Sequence, residues 1–221
     1  MKQTIHLVAI AVFLLATLAT ASVARGADRR IVVLGDSIAA GYGVEASEAF
    51  PSVLQTFIED DKFPFEVVNA GVSGETTAGG ARRIDWLLKR RVDVLVIELG
   101  GNDGLRGIPP ETTRRNLETI VTKARAKNPE IKIVLAGMQI FQNMGKGYVE
   151  QFQKNYEELA KKHDLAFVPF LLDGVGGIEE MNQDDQIHPN PQGHRKVAEN
   201  VWAVLKPVLE SLTQADDPSD S

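Results

Sequence analysis

Short apolar runs rich in β-branched residues alternate along this chain with segments whose apolar residues recur at helical spacing. The runs cover residues 31–34, 65–68, 92–99, 131–136 and 165–170, and the helical segments centre on residues 50–58, 81–88, 117–124, 149–159 and 197–209. Parallel strands need a crossover between them, which is usually a helix. The alternation therefore predicts an α/β fold, with a five-stranded parallel sheet covered by helices on both faces.

The length and composition suit one globular domain. The run at 92–99 is almost continuously apolar, which is typical of a strand buried on both faces. The 221-residue chain is 43% hydrophobic and 24% charged, and we find neither an internal repeat nor a linker. We expect one domain over residues 25–212, followed by a disordered acidic tail over 213–221.

The first 24 residues have the pattern of a secretory signal peptide. Lys2 supplies a positive start, residues 7–18 are mostly apolar, and Ser22-Val23-Ala24 offers small residues for cleavage. A membrane anchor is the alternative, but the segment is short and contains three threonines. We expect an exported protein, periplasmic or secreted, without a stable membrane anchor after cleavage.

Charge and cysteine content restrict the partners. The formal net charge is −6 and there is no cysteine. The acidic balance argues against a nucleic-acid partner, and the lack of thiols excludes disulfides, thiolate metal sites and a cysteine nucleophile. No His, Asp and Glu grouping has metal-ligand spacing, and no glycine cluster has the spacing of a nucleotide-binding loop. We expect no metal and no cofactor, and take a monomer as the default.

Motifs that contain candidate catalytic residues follow directly on the predicted strands. They are Gly35-Asp36-Ser37, residues 69–77, Gly100-Gly101-Asn102-Asp103 and, between the fifth strand and the last helix, residues 185–189. In an open parallel sheet, ligands bind outside the carboxyl ends of the strands. We therefore expect these four loops to meet at one edge of the sheet.

The residues in these loops suit nucleophilic catalysis. A serine hydroxyl needs an imidazole to accept its proton, and the imidazole needs a carboxylate to orient it. Ser37 is the candidate nucleophile, His188 the base and Asp185 the orienting acid. The candidate oxyanion donors are the backbone amides of Ser37 and Gly74 and the side-chain amide of Asn102.

In order and spacing these blocks resemble those of the SGNH hydrolases, also called GDSL esterases. The stretch 96–107 resembles the exported branch of acyl-thioesterases, lysophospholipases and arylesterases, and the resemblance extends from residue 31 to about residue 212. It implies a flavodoxin-like, three-layer αβα fold and the roles given above for Ser37, Asp185 and His188, with Gly74 and Asn102 in the oxyanion hole. Ile38 replaces the leucine of the family name, and Gln186 occupies a variable position.

The resemblance implies a serine hydrolase that cleaves carboxylic esters or thioesters with apolar acyl or aryl groups through an acyl-enzyme on Ser37. A carbohydrate acetylesterase of the same fold is one alternative, although aromatic residues, which help to bind sugars, make up only 6% of the chain. A noncatalytic exported binding domain is another.

Two loops are candidates for substrate contact. Residues 104–110 and 138–145 follow the third and fourth strands and carry apolar side chains. We predict contacts from Leu105, Ile108 and Ile140, with core packing as an equal explanation of Ile140. By analogy with the family, the first loop would move when substrate binds.

Several of these residues also have structural explanations. Ser37 could cap a helix, and Asn102 could satisfy backbone groups in its turn. We predict structural roles for Asp36 and Asp103, a solvated surface position for His163, and packing or capping for His194.

Overall fold

The computed structural model describes residues 29–140 and 142–215. The predicted signal peptide and residues 216–221 of the predicted tail lie outside the described residues. The last helix continues to Gln214, so that the first two residues of the segment predicted as a tail are helical. In the described ranges, no helix combines the length and the apolarity that a membrane span requires.

Five strands and seven α-helices follow one another along the described chain. In order they are β1 (Arg29–Gly35), α1 (Ser37–Ala40), α2 (Phe50–Asp60), β2 (Phe65–Gly71), α3 (Thr77–Leu87), β3 (Val94–Glu98), α4 (Gly101–Leu105), α5 (Pro110–Lys127), β4 (Lys132–Ala136), α6 (Lys146–Lys162), β5 (Ala166–Val168) and α7 (Pro191–Gln214). Short 3₁₀ turns occupy Gln142–Met144 and Glu179–Met181.

The strands form one parallel sheet in the order β2-β1-β3-β4-β5. This is the flavodoxin-like order of doubly wound folds. Helices α2 and α7 pack against each other in one layer, whereas α5 packs against both α3 and α6 in the other. The predicted three-layer αβα architecture is confirmed.

The sheet is the centre of the core. All five residues of β3 are buried, as predicted for a strand covered on both faces. The helical periodicity is also confirmed, since α5 buries Leu117, Ile120, Val121 and Ala124 along one side. Full burial of a valine, leucine or isoleucine side chain contributes about 1.5–3 kcal/mol to the stability of the fold. The layers thereby fix the strand ends rigidly.

The direction of the chain across the sheet reverses at β1. From β1 the chain moves to β2 on one side and then crosses to β3 on the other. Such a switch point leaves a crevice at the carboxyl ends of the two central strands. Here those ends are Gly35 and Glu98, which pair in register. The short helices α1 and α4, which the sequence pattern did not predict, begin within three residues of these ends.

Candidate active site

Ser37, His188 and Asp185 form a continuous hydrogen-bonded chain. The Ser37 Oγ lies 2.9 Å from Nε2 of His188, and Nδ1 of the same ring lies 2.6 Å from Oδ2 of Asp185. An ionised carboxylate only accepts hydrogen bonds, so Nδ1 carries the ring proton and Nε2 accepts from the Ser37 hydroxyl. This is the arrangement in which an imidazole can take the proton of a serine.

The end of β1 determines the position of Ser37. Asp36 is the N-cap of α1, and its Oδ1 accepts a hydrogen bond from the backbone N–H of Ile38 at 3.0 Å. The capping role considered for Ser37 thus belongs to Asp36, which has the structural role predicted for it. Ser37 is the first helical residue, and its hydroxyl is available to His188.

A tight turn before α7 holds His188. Asp185 Oδ1 accepts the backbone N–H groups of Ile187 and His188, both at 2.9 Å. These bonds, first that of the His188 amide, lower the pKa of Asp185 to about 2. Gln186 adopts a left-handed conformation with φ of 56° and is exposed, which leaves the spacing of the pair intact. The Asp185 carboxylate is therefore charged at neutral pH and can stabilise a positively charged imidazolium.

Asn102 lies beside the Ser37 turn. It belongs to α4, and its Nδ2 donates to Oδ2 of Asp36 at 3.0 Å. One N–H of the amide is thereby engaged, and the amide nitrogen has a second N–H to offer to a substrate oxygen. The role of Asn102 as an oxyanion donor stays a prediction.

Gly74 lies in the loop between β2 and α3. Its φ of +77° is left-handed, a conformation that glycine adopts without a steric penalty. Arg106, the C-cap of α4, donates from Nη2 to the Gly74 carbonyl at 3.0 Å. The loop with Gly74 is therefore tied to the helix with Asn102, and the convergence of both donors with the Ser37 amide on one oxygen stays a prediction.

Sequence reasoning missed Glu98, which ends β3 next to this turn. Its Oε2 accepts the backbone N–H of Asp36 at 3.0 Å and that of Ala39 at 3.3 Å. Burial, and then the charge of Asp36, raise the pKa of Glu98 well above its ordinary value. Burial also raises the pKa of Asp36, to about 6. The available signal was an acidic residue near the carboxyl end of a run whose other residues, apart from Asp93, are apolar.

Two further histidines of the described residues, His163 and His194, lie outside the triad. His194 is fully buried, and its Nδ1 accepts from the backbone N–H of Phe50 at 3.3 Å, in agreement with packing or capping. His163 is less solvated than predicted, because its side chain is only 18% exposed and its Nε2 lies 3.1 Å from Oε1 of Glu118.

The two predicted specificity loops contact each other. The hydroxyl of Tyr148, in the helix that follows the second loop, donates to the carbonyl of Ile108 at 2.6 Å, and Leu105 is 51% exposed. Ile140 is half-buried against the core and against Gly104, where a Cβ atom would lie 2.1 Å from its Cγ2. These contacts account for Ile140 by packing. Direct contact of Leu105, Ile108 and Ile140 with substrate stays a prediction.

Exposed apolar side chains are concentrated at this edge of the sheet. Those on the loops of the site are Tyr42, Val72, Leu105, Met144 and Ile187. The Tyr42 ring centroid is 4.6 Å from that of His188, and Ile187 is the neighbour of His188 in the chain. The surroundings of the triad thus offer contact to an apolar group more readily than to a highly charged one.

Comparisons with known proteins agree with this geometry. Residues 33–196 match the model of the GDSL-like Lipase/Acylhydrolase family. The chain is 42% identical to the esterase TesA of Pseudomonas aeruginosa over 84% of its own length and 92% of the relative. It is 37% identical to thioesterase 1/protease 1/lysophospholipase L1 of Escherichia coli K12, over 81% and 84%. A crystal structure of TesA, 42% identical, superposes with a TM-score of 0.78 and covers 81% of this chain and 99% of that one.

Proposed function

Since the chain belongs to the GDSL-like lipase/acylhydrolase family, we propose that it is a serine hydrolase of carboxylic esters and thioesters, with Ser37 as its nucleophile. The observation that carries the proposal is the hydrogen-bonded chain from Ser37 through His188 to Asp185. The names of its relatives, an esterase and a thioesterase with lysophospholipase activity, support the same class of reaction.

The reaction proceeds in two steps. His188 accepts the proton of Ser37 as Oγ attacks the acyl carbon, and Asp185 stabilises the resulting imidazolium. The amides of Ser37, Gly74 and Asn102 stabilise the oxyanion, and loss of one such donor costs about 3 kcal/mol of transition-state stabilisation. The imidazolium protonates the leaving alkoxide or thiolate. Water, activated by His188, then hydrolyses the acyl-enzyme and releases the acid.

The substrate is a small ester or thioester with an apolar acyl or aryl group. Tyr42 and Ile187 are exposed beside His188, and Leu105 is exposed at the end of the helix that carries Asn102. Burying their apolar surface against a substrate stabilises the complex by about 25 cal/mol per Å². A carbohydrate acetylesterase would have little use for such a surface. Comparison of acetyl with octanoyl esters separates the two, because only a deacetylase should lose activity with the longer chain.

Covalent labelling tests the nucleophile. The purified protein is treated with a fluorophosphonate and its intact mass is measured beside Ser37→Ala and Ser211→Ala. Ser211 is a matched control, since its exposed hydroxyl only donates to a carbonyl of α7. We expect one adduct on the wild type and on Ser211→Ala, and none on Ser37→Ala. An adduct on Ser37→Ala, or none on the wild type, would contradict the assignment and favour a noncatalytic binding domain.

We also propose that the protein is exported and loses residues 1–24. The support is the sequence pattern of that segment, with Lys2 before an apolar stretch and small residues at its end. Expression in a bacterium, fractionation and intact mass measurement test this. Recovery of the full 221-residue chain from the membrane fraction would instead indicate an anchor.

A further inference from the structure

A buried glutamic acid lies directly beneath the turn that carries Ser37. Glu98 pairs in register with Gly35, and its side chain is fully buried. A Cβ atom at Gly35 would lie 2.3 Å from Oε2 of Glu98, so glycine at this position makes room for the carboxyl group. Because Oε2 accepts the amides of Asp36 and Ala39, Glu98 fixes the backbone on both sides of Ser37.

Glu98 lies next to Asp36, since its Oε2 is 3.0 Å from the Asp36 backbone nitrogen, and the charge of Asp36, after burial, raises the pKa of Glu98. Both are buried, and in the described part of the chain neither forms an ion pair with a cation. Two adjacent carboxylates in an apolar interior repel each other, so such a pair retains a proton. Oε1 of Glu98 is buried and has no hydrogen-bond partner among the described residues. A proton retained on Glu98 would remove the repulsion between the two carboxyl groups.

The surrounding groups leave the proton on Glu98. Asp36 accepts hydrogen bonds from Ile38 and Asn102, and both of these bonds lower its pKa. The other titratable or charged groups close to the pair are Arg83, Tyr156 and His188. Arg83 donates to the carbonyl of Gly35 at 3.3 Å. Burial raises the pKa of Tyr156 well above its ordinary value, and Asp103 adds to this, so the phenol is neutral.

Asp36 connects this pair to the site. Its Oδ2 accepts the hydrogen bond from Nδ2 of Asn102. An ionised Asp36 can only accept, and it therefore selects the orientation of the Asn102 amide in which the nitrogen faces the turn. A neutral or displaced Asp36 would lose this selection, and the amide could then present its oxygen to the substrate.

We propose that Glu98 is a protonated carboxylic acid that donates a hydrogen bond to Asp36, and that it is thereby a positioning residue for Asn102 and the Ser37 turn. The inference rests on the proposed function, because it assigns Asn102 to the oxyanion hole. Glu98 does not touch substrate. It acts on the chemical step by keeping Asp36 ionised and aimed at Asn102.

Two substitutions distinguish a neutral donor from a carboxylate. Glu98→Gln keeps an acceptor for the two backbone amides and a donor for Asp36, whereas Glu98→Met fills the space without either. We expect kcat of Glu98→Met to fall about 100-fold, as for loss of an oxyanion donor, with KM changed less than about threefold. Glu98→Gln should recover kcat to within about tenfold of the wild type.

The pH profile and the infrared spectrum are readouts that a merely structural role of Glu98 would not change. Ionisation of Glu98 at alkaline pH places a second charge beside Asp36, so the kcat of the wild type should fall on the alkaline side, and Glu98→Gln should lack this limb. The infrared difference spectrum of wild type minus Glu98→Gln at neutral pH should contain the carbonyl band of a protonated carboxyl group. A carboxylate band in its place would overturn the proposal.

The kinetic outcomes also separate this inference from the proposed function. A wild type that hydrolyses esters and takes up the fluorophosphonate, beside a Glu98→Gln variant as impaired as Glu98→Met, overturns the inference alone. A Glu98→Met variant with the kcat of the wild type does the same. A wild type that neither hydrolyses esters nor takes up the label contradicts both.

Discussion

Gly74 and Gly177 have nearly the same left-handed backbone in different surroundings. Their φ values are +77° and +76°. A Cβ atom at Gly74 would meet only Nη2 of Arg106, at 3.6 Å, and one at Gly177 would meet nothing within 4 Å. Alanine therefore causes backbone strain but no clash at either position. Only Gly74 lies in a loop of the site, which makes Gly177 a matched control.

We expect Gly74→Ala and Gly177→Ala to lower the free energy of unfolding by similar amounts, about 1–2 kcal/mol, because L-residues are strained in this region. Only Gly74→Ala should lower kcat/KM, by about tenfold to 100-fold, since strain in its loop displaces the Gly74 amide from the oxyanion. Urea denaturation and ester hydrolysis measure the two effects. Equal kcat/KM values for the two variants would exclude Gly74 from the oxyanion hole.

Single residues differ in how well the sequence predicts them. Ser37, Asp185 and His188 stand in recognisable motifs directly after strands, and the parallel topology brings such motifs together. Glu98 has no motif of its own, and its importance arises from full burial and from a neighbour 62 positions away in sequence. Burial of that kind is a tertiary property, which a pattern along the chain does not contain.

At the scale of elements, three helices meet at Asp103. This buried residue of α4 accepts hydrogen bonds from the Thr77 amide of α3 at 2.8 Å, from the Thr77 hydroxyl and from the Thr113 hydroxyl of α5 at 3.2 Å. A buried carboxylate needs such donors to offset its desolvation. Asp103 thus has the structural role predicted for it, and it anchors the helix that carries Asn102.

Thr113→Val tests this junction, since valine keeps the shape of threonine and removes one donor to a buried carboxylate. We expect the free energy of unfolding to fall by about 1–3 kcal/mol. Thr119→Val on the same helix is the control. Its exposed hydroxyl donates only to a carbonyl of its own helix, so a change within about 0.5 kcal/mol is expected. Urea denaturation of both variants provides the measurement. Equal losses in the free energy of unfolding would show that the hydrogen bond from Thr113 to Asp103 does not stabilise the fold.

The predicted and the unpredicted elements differ in length. The helices found from periodicity have 11 to 24 residues, enough for an apolar stripe to repeat. Helices α1 and α4 have four and five residues, too few for a period to appear. Their conformation comes from contacts with other elements, as in the bonds that Glu98 accepts from the start of α1.

At the scale of the whole molecule, His194 makes the stability of the fold depend on pH, and it lies where two helices of one layer meet. It belongs to the first turn of α7, and its Nδ1 accepts from the first residue of α2. Its Nε2 is buried without a partner in the described part of the chain. Burial first, and then the charge of His188, lower the pKa of His194 from 6.5 to about 4. The folded protein thus favours the neutral ring.

This shift makes the free energy of unfolding depend on pH in a defined window. Between pH 6.5 and about 4 the unfolded chain binds a proton at His194 that the folded chain does not. Stability from this residue is therefore present above pH 6.5 and is lost as the pH falls toward 4, by about 3 kcal/mol in all. Asp36 acts in the opposite direction between 3.8 and about 6, because its pKa is raised on folding.

The variant His194→Gln isolates the histidine from Asp36. Glutamine carries no charge at any of these pH values, and its side-chain oxygen can accept the amide of Phe50. We expect this variant to be less stable than the wild type at neutral pH because of imperfect packing. As the pH falls from 6.5 to 4, the difference in the free energy of unfolding should shift in favour of the variant by about 3 kcal/mol. Urea denaturation of both proteins across this pH range gives the difference directly. A difference that stays constant with pH would mean that His194 binds its proton equally well in the folded and the unfolded chain.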